Sequence, residues 1–440
     1  MSARLACPVW QRPMLIAAVG TLISLAIGLA ASPKSVTQGW LIAFVFVSGI
    51  PIGSLVLLLI HRLTGGRWGT ALAPVLMPAV SMMPLVALVF LPLAFGLSAP
   101  YRWASDTSMV RPAVAHTYLN QPAFLLRSAV VLIGWSVLAI AVVRERCTML
   151  MAGLGLVFHA IAISFVAVDW ILSIDSSFSS SAFAAAIAIQ QLLSALCFAA
   201  IAGAVGWRKE ITADVAGLII ATLLGTVYLG LMSFIVIWYG NLPDKAAWYL
   251  LRGRDGWQWL IAAIVAIGAL VPLCLLLKQS FRQSGDALRL ISSLILLGVF
   301  LHVVWLIAPA FGSGAIVAAL IAVVAMIGLG LCFSNRVAVG LRGGAHGRRH
   351  GVGLFCGTAL LVAEDHGTSV SRYLGTLCRH PDVLWLQLHV LSAIHRGLSW
   401  NAAAVPWSAP FFNTWLRSGN GLTRAFGKFE VNPAISPIRR

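Results

Sequence analysis

Long apolar segments are the feature that most constrains what this chain can fold into. A transmembrane helix needs about 20 consecutive apolar residues to cross the hydrocarbon core of a bilayer. Ten segments meet that length: residues 13–31, 40–60, 71–97, 123–143, 148–172, 182–206, 216–239, 257–277, 287–309 and 314–334. Segments of this length satisfy their backbone hydrogen bonds within lipid only as helices. The sequence therefore predicts an all-α integral membrane protein with about ten transmembrane helices.

The composition supports a membrane protein and argues against a nucleic-acid-binding one. Hydrophobic residues make up 60% of the chain and charged residues only 10%, whereas soluble domains contain roughly 25% charged residues. The formal net charge of +17 fits basic loops and a basic tail that face anionic lipid. We therefore expect a lipid bilayer, and no nucleic acid, as the surroundings of this chain.

The distribution of basic residues predicts the orientation in the membrane. Cytoplasmic loops of membrane proteins carry an excess of Lys and Arg. With the N-terminus inside, the cytoplasmic loops receive Arg62, Arg67, Arg144, Arg146, Arg208, Lys209, Lys278, Arg282 and Arg289. The outer loops receive Lys34, Arg102, Arg111, Arg127, Lys245, Arg252 and Arg254. Together with basic residues at both termini, this bias favours an N-in, C-in topology.

The character of the sequence changes after residue 335. The basic string RGGAHGRRHG (Arg342–Gly351) is followed by an apolar run at 352–363 that is too short to cross a membrane. We divide the chain into a transmembrane domain at 1–335 and an atypical basic tail at 336–440. The tail is interpreted as weakly ordered or as the product of a shifted reading frame.

Polar residues inside the apolar segments are candidates for function, because ionisable side chains at membrane depth are costly and need partners. They concentrate in the stretch from His159 to Gln191, where Asp169 precedes the end of the fifth span and Asp175 lies in a Ser-rich turn. The proton-path candidates are His159, Asp169, Asp175, Gln190, Gln191 and His302. Structural roles stay open: Asp169 as a turn cap, His159 as a core histidine, and the glutamines as interhelical hydrogen-bonding residues.

No redox cofactor or metal site is indicated. The seven cysteines occur singly, without a CxxC or CxxCH motif. A membrane haem usually takes two axial histidines, and the candidates within the spans are His159 and His302, on different helices. We therefore expect no metal and no bound cofactor in this chain.

The predicted outer loop at 234–259, FIVIWYGNLPDKAAWYLLRGRDGWQW, is the most distinctive local string. Its turn residues and the aromatic and basic residues that follow suit an amphipathic segment at the membrane surface. It is either an interfacial aromatic belt or a docking surface for an extrinsic subunit. The docking candidates are Trp238, Tyr239, Asn241, Asp244, Trp248 and Arg252.

Four strings together make part of the chain resemble a known family. They are IWYGNLPDKAAWYLLR, VDWILSID, YLNQPAFLLRSAVVLIGW and HRLTGGRW, and the similarity covers about residues 35–310. This region resembles the smaller quinone-type membrane subunit of bacterial alternative complex III, a quinol:cytochrome c oxidoreductase. That subunit is related to the membrane subunit of polysulfide reductase.

The resemblance implies ten helices, with two central four-helix bundles and two peripheral helices, in a bacterial inner membrane. Its implied partners are a larger membrane paralogue, an iron–sulfur subunit and multihaem cytochrome c subunits. Quinol is then expected at the level of the complex, with oxidation assigned to the paralogue, while this subunit contributes structure and a proton path.

The chain departs from the family after Asp175, where Ser176 and Ser177 replace bulkier side chains. Two alternative functions stay open. The first is a membrane anchor and quinone-reactive subunit of a molybdenum-type reductase. The second is a secondary transporter, which the number of spans and their broken helices suggest.

Overall fold

The computed structural model describes residues 33–330, apart from positions 107, 109, 111, 176–177 and 241–242. The described residues belong to the first of two units of the chain, which comprises residues 1–348. The predicted first span at 13–31 and the predicted tail at 336–440 lie outside the described residues.

Every regular element of the described residues is helical, as the sequence predicts. In chain order the helices are α1 Pro33–Thr64, α2 Arg67–Val80, α3 Met83–Val89, α4 Leu91–Phe95, α5 Pro112–Thr117, α6 Gln121–Val143, α7 Met149–Val166, α8 Phe183–Gly203, α9 Lys209–Tyr239, α10 Pro243–Leu251, α11 Trp257–Ala263, α12 Val271–Leu277, α13 Gln279–Arg282, α14 Gly285–Ile307 and α15 at 315–330. Two π-helical turns follow α7 and α11, at Ala167–Ile171 and Ile264–Leu270. Short 3-10 segments lie at Arg102–Ala104, Leu172–Ile174, Ala204–Gly206 and Ala308–Gly314.

Eight helical runs in the described part of the chain are long and apolar enough to cross a membrane. They are Pro33–Thr64, Arg67–Phe95, Gln121–Val143, Met149–Ile174, Phe183–Gly203, Lys209–Tyr239, Trp257–Leu277 and Gly285–Gly330. The first seven coincide with predicted spans. The last contains both the predicted span at 287–309 and most of that at 314–334.

The run Gly285–Gly330 is continuous along the chain, but it consists of two helices that point in different directions. Its 46 residues would form a straight helix of roughly 69 Å, more than twice the thickness of a hydrocarbon core. The 3-10 segment breaks it at Gly312, whose φ of 60° and ψ of −125° are not helical. Phe300 of α14 packs against Phe46, Gly314 lies near Gln38, and Ala325 of α15 packs against Ala43. The two halves therefore run along α1 in opposite directions.

Helices α1 and α8 form the centre of the described unit. They pack against each other, and α1 also contacts α2, α7 and α14, while α8 contacts α9 and α14. Most of the apolar window of α1 is buried, whereas α6, α7 and α9 carry large exposed apolar side chains. Exposed apolar surface on this scale suits helices that face lipid.

Two glycines allow α14 to approach the π-helical turn after α11 closely. A Cβ atom added to Gly298 would lie 2.6 Å from the Cα of Gly268, and one added to Gly268 would lie 2.9 Å from the Cα of Gly298. Small residues at such crossings let helix backbones approach closely in membranes, where association depends on van der Waals packing. The glycine pair therefore determines how close these two segments lie.

Replacing Gly298 with alanine should destabilise the protein, because the new methyl group has backbone atoms in its way. We expect a loss of about 1–3 kcal/mol, typical of overpacking, seen as a lower thermal unfolding temperature in detergent. Gly153→Ala on α7 is the matched control, since a Cβ there meets nothing within 4 Å. Equal unfolding temperatures for the two variants would contradict the close crossing.

Candidate functional site

Asp169 lies in the π-helical turn that follows α7, and its side chain is only 2% exposed. The wider turn interrupts the regular helical hydrogen bonds, and such π turns are frequent at functional sites. The hydroxyl of Ser173 donates a hydrogen bond to the backbone carbonyl of Asp169. This hydroxyl helps satisfy the backbone where the chain leaves the helix.

Arg127, in the second turn of α6, neutralises Asp169 through two hydrogen bonds. Its Nε lies 2.7 Å from Oδ2 and its Nη2 lies 3.0 Å from Oδ1 of the carboxylate. Nη2 also donates to the carbonyl of Tyr118 at 3.1 Å, and the guanidinium carbon lies 3.9 Å from the centre of the Tyr118 ring. A two-point pair of this kind is the strong form of the arginine–carboxylate interaction.

Aromatic residues enclose the Asp169–Arg127 pair. The indole nitrogen of Trp170 donates to the hydroxyl of Ser128, and the hydroxyl of Tyr101 donates to the carbonyl of Trp170, both at 3.1 Å. Burial, with the negative charge of Asp169 as a second cause, raises the pKa of Tyr101 well above its usual value and that of Tyr118 to about 12. Both phenols are therefore neutral near pH 7.

A second arginine, Arg252, lies buried just after α10, with its side chain 2% exposed. Its Nε and Nη2 donate to the carbonyl of Leu306 at 3.1 and 2.7 Å, and Nη1 donates to that of Trp248 at 3.2 Å. Its Nη1 lies 3.8 Å from Oδ2 of Asp175. Its guanidinium carbon lies 3.6 Å from the centre of the Trp248 ring. This cation therefore interacts with two carbonyls, a carboxylate and an aromatic ring.

Arg252 keeps its charge in this environment. Burial lowers its pKa to about 10, against the opposing effect of nearby Asp175, and that value is still far above pH 7. The indole nitrogen of Trp305 donates back to the carbonyl of Arg252 at 3.2 Å. The segment after α9 is thus fastened to the end of α14.

A cavity of about 590 Å³ lies beside Arg252, between α8, α9, α14 and the run from α11 to α12. Its wall is mostly apolar and aromatic, with polar side chains at a few positions. Gln190 and His302 both line it, and the Nδ1 of His302 lies 2.9 Å from the Oε1 of Gln190. An apolar cavity with few polar groups is the usual form of a small-molecule site.

The structure separates the six predicted proton-path residues into different environments. It brings Gln190 to His302, and it places Asp175 beside Arg252. The side chain of Gln191 points away from the cavity wall, towards Gly49 of α1. His159 is buried beside Trp135, with ring centres 5.8 Å apart, and its Nδ1 has no hydrogen-bond partner within the described chain.

The predicted docking residues also divide into two groups. Trp238 and Tyr239 are 72% and 91% exposed, as a contact surface requires. Trp248 and Arg252 are 5% and 2% exposed, so within this chain they hold α10 in place rather than form a surface. Asn241 and the side chain of Asp244 lie outside the described part.

The sequence pattern does not identify Arg127 as the partner of Asp169; it indicates only a basic residue of the outer side. Its position within the apolar span at 123–143 was the available signal, because a cation at membrane depth needs an anion.

Among the described residues there is no group of three or more His, Cys, Asp or Glu side chains that could hold a metal ion.

Removing only one partner of the buried pair should destabilise the chain strongly. Arg127→Met leaves Asp169 without its cation, and breaking a buried pair in this way costs about 3–5 kcal/mol. We expect a large fall in the thermal unfolding temperature, and partial recovery in the double variant Arg127→Met, Asp169→Leu. The matched control is Arg102→Met. Arg102 is exposed, and its hydrogen bond to the carbonyl of Ala310, at 3.4 Å, is longer than those between Arg127 and Asp169. A fall of equal size in the single and double variants would contradict the pairing.

Comparisons of the chain with protein-family models and with curated proteins find no match.

Proposed function

We propose that this chain is an integral membrane subunit of a quinol:cytochrome c oxidoreductase of the alternative complex III type. In this proposal it stabilises the membrane part of the complex and contributes a proton path, while the redox cofactors belong to other subunits. Its partners are a larger membrane paralogue, an iron–sulfur subunit and multihaem cytochrome c subunits.

One observation carries the proposal: three of the four strings that resemble the family meet in space. Arg127 from YLNQPAFLLR binds Asp169 from VDWILSID, and Asp175 from the same string lies beside Arg252 from AWYLLR. The rings of Phe178 and Trp248 stack next to that second pair, with centres 4.4 Å apart. Residues far apart in sequence thus form two ion pairs whose carboxylates lie six residues apart in one string, as expected when a family's motifs maintain a single feature.

The proton path is proposed for the same end of the molecule. A carboxylate held by two arginine hydrogen bonds keeps its charge while the pair is closed. Asp169 would therefore exchange protons as its pair with Arg127 opens and closes. His302, which hydrogen-bonds to Gln190, is a second group able to take up and release a proton. Arg252, the partner of Asp175, lines the same cavity as His302.

The finer architecture belongs to the same proposal. Two central four-helix bundles would comprise the runs α1 to α7 and α8 to α14, and the packing of α1 on α8 supports a junction between them. Two peripheral helices, an N-in, C-in orientation and a bacterial inner membrane complete it. The cluster of Asp169, Asp175 and their arginines then lies at the outer side.

Co-purification tests the assembly. When the tagged full-length chain is extracted in a mild detergent, we expect a multihaem cytochrome, an iron–sulfur subunit and a larger membrane paralogue to accompany it, identified by mass spectrometry and haem absorbance. A molybdopterin subunit instead would favour the reductase alternative. Purification as a stable protein without partners would favour a transporter.

The proton role has its own test in the intact complex. Asp169→Asn keeps a side-chain oxygen that can accept from Arg127, but the Asn side chain cannot release a proton. Because it also leaves the charge of Arg127 uncompensated, turnover is compared per assembled complex, with subunit composition checked by mass spectrometry. We expect quinol:cytochrome c turnover to fall by about tenfold or more, as for loss of a proton-transfer group. Asp106→Asn, at an exposed position, is the matched control. Normal turnover with Asn at 169 would rule out the relay role.

A further inference from the structure

The cavity beside Arg252 opens towards the lipid-facing side of the helices. Its wall includes Val227, Leu231 and Phe234 of α9 and Val265 of the second π-helical turn. All four are exposed, by 38–50% of their surfaces. An opening lined by exposed apolar side chains of membrane-spanning runs admits molecules dissolved in the bilayer rather than in water.

The volume and the aromatic wall of the cavity suit a ligand that contains a flat ring. At about 590 Å³ it falls in the range of roughly 300–1,000 Å³ typical of small-molecule sites. Six aromatic side chains contribute to the wall: Phe178, Phe183, Phe234, Trp248, Tyr249 and Trp305. Aromatic walls pack flat rings by offset stacking and edge-to-face contacts.

The hydrogen-bonded pair Gln190–His302 presents two polar atoms that have no partner in the described chain. The amide oxygen of Gln190 accepts from the Nδ1 of His302, which leaves the Gln190 amide nitrogen as a donor. In the neutral imidazole, Nε2 of His302 then carries a lone pair and accepts. Neither atom is among the fully enclosed unpaired polar atoms of the described residues, so both are open to a ligand in the cavity.

One donor beside one acceptor matches a hydroxyl group. A hydroxyl donates its proton to Nε2 of His302 and accepts from the amide of Gln190, so a single oxygen satisfies both atoms. A carbonyl oxygen can only accept, and it leaves His302 unpaired. The hydroxyls of Thr226 and Ser233 already donate to carbonyls of α9.

Arg252 does not make this an anion site. All three of its guanidinium nitrogens donate to backbone carbonyls, and Nη1 also lies beside the carboxylate of Asp175. The cation is thus compensated within the chain, and a phosphate or carboxylate headgroup would meet no free positive charge there.

We propose that this cavity binds a membrane-soluble molecule whose headgroup is a ring bearing a hydroxyl, held by Gln190 and His302. A hydroquinone and a cyclic aliphatic alcohol share this chemistry, and the aromatic wall favours the hydroquinone. Binding here belongs to this chain itself and does not depend on the complex that contains it.

The test is titration calorimetry on the full-length chain in lipid nanodiscs, with empty nanodiscs as the blank. The probes are decylhydroquinone, the corresponding decylbenzoquinone and 4-decylcyclohexanol. We expect saturable 1:1 binding of decylhydroquinone that is roughly three- to tenfold tighter than that of the quinone, the worth of one hydrogen bond. Tighter binding of the cyclohexanol would identify an aliphatic alcohol as the source of the hydroxyl and still support the site.

Adjacent glutamines provide matched variants. Gln190→Leu should weaken decylhydroquinone binding roughly three- to tenfold, whereas Gln191→Leu, on the side facing α1, should leave it unchanged. His302→Phe keeps a ring beside Trp305 but removes the acceptor, and it should abolish the preference for hydroquinone over quinone. Thermal unfolding without ligand identifies any variant that fails to fold. Absence of saturable binding, or equal effects at positions 190 and 191, would overturn the proposal.

Discussion

Charged side chains inside an apolar helical bundle need partners, because an unpaired charge there is far more costly than one in water. In this protein the constraint is met by Arg127 with Asp169 and by Arg252 with Asp175. Each arginine is contributed by a segment distant in sequence from its carboxylate. The pairs therefore do more than neutralise charge: they bring the start of α6, the turn after α7 and the segment after α9 to the same end of the bundle.

Different groups compensate the positive charges of the two arginines, and this difference affects the polarity of the sites around them. Arg127 makes a two-point contact with a nearly inaccessible carboxylate. Arg252 relies mainly on the carbonyls of Leu306 and Trp248, with the carboxylate farther away. Because its charge is compensated by its own chain, the cavity beside it presents no free cation, and Gln190 and His302 are a hydrogen-bonded polar pair in its mostly apolar wall. Helix geometry contributes as well, since π turns lie both at Asp169 and along the cavity wall.

Residue types in the sequence identified candidate functional residues but not the residues that they contact in the fold. Asp169 stands out as a carboxylate in an apolar span and Arg127 as a cation in another, yet the sequence pattern does not show that the two are partners. Gln190 and Gln191 looked equivalent, but neighbouring residues on a helix point about 100° apart, so one faces the cavity and the other faces α1. Trp248 was expected at a surface because of its aromatic and basic neighbours, and it is instead buried under Arg252.

The sequence by itself determined the helical class and the positions of the apolar runs, because lipid leaves a long apolar segment no other way to satisfy its backbone. It also marked the polar intrusions, since their cost depends on residue type and depth alone. Only the tertiary structure decided the partners: the pairing of Asp169 with Arg127, the reversal at Gly312 and the cavity lined by Gln190 and His302. These depend on which helix faces pack together, and that packing rests on close contacts between residues far apart in the chain.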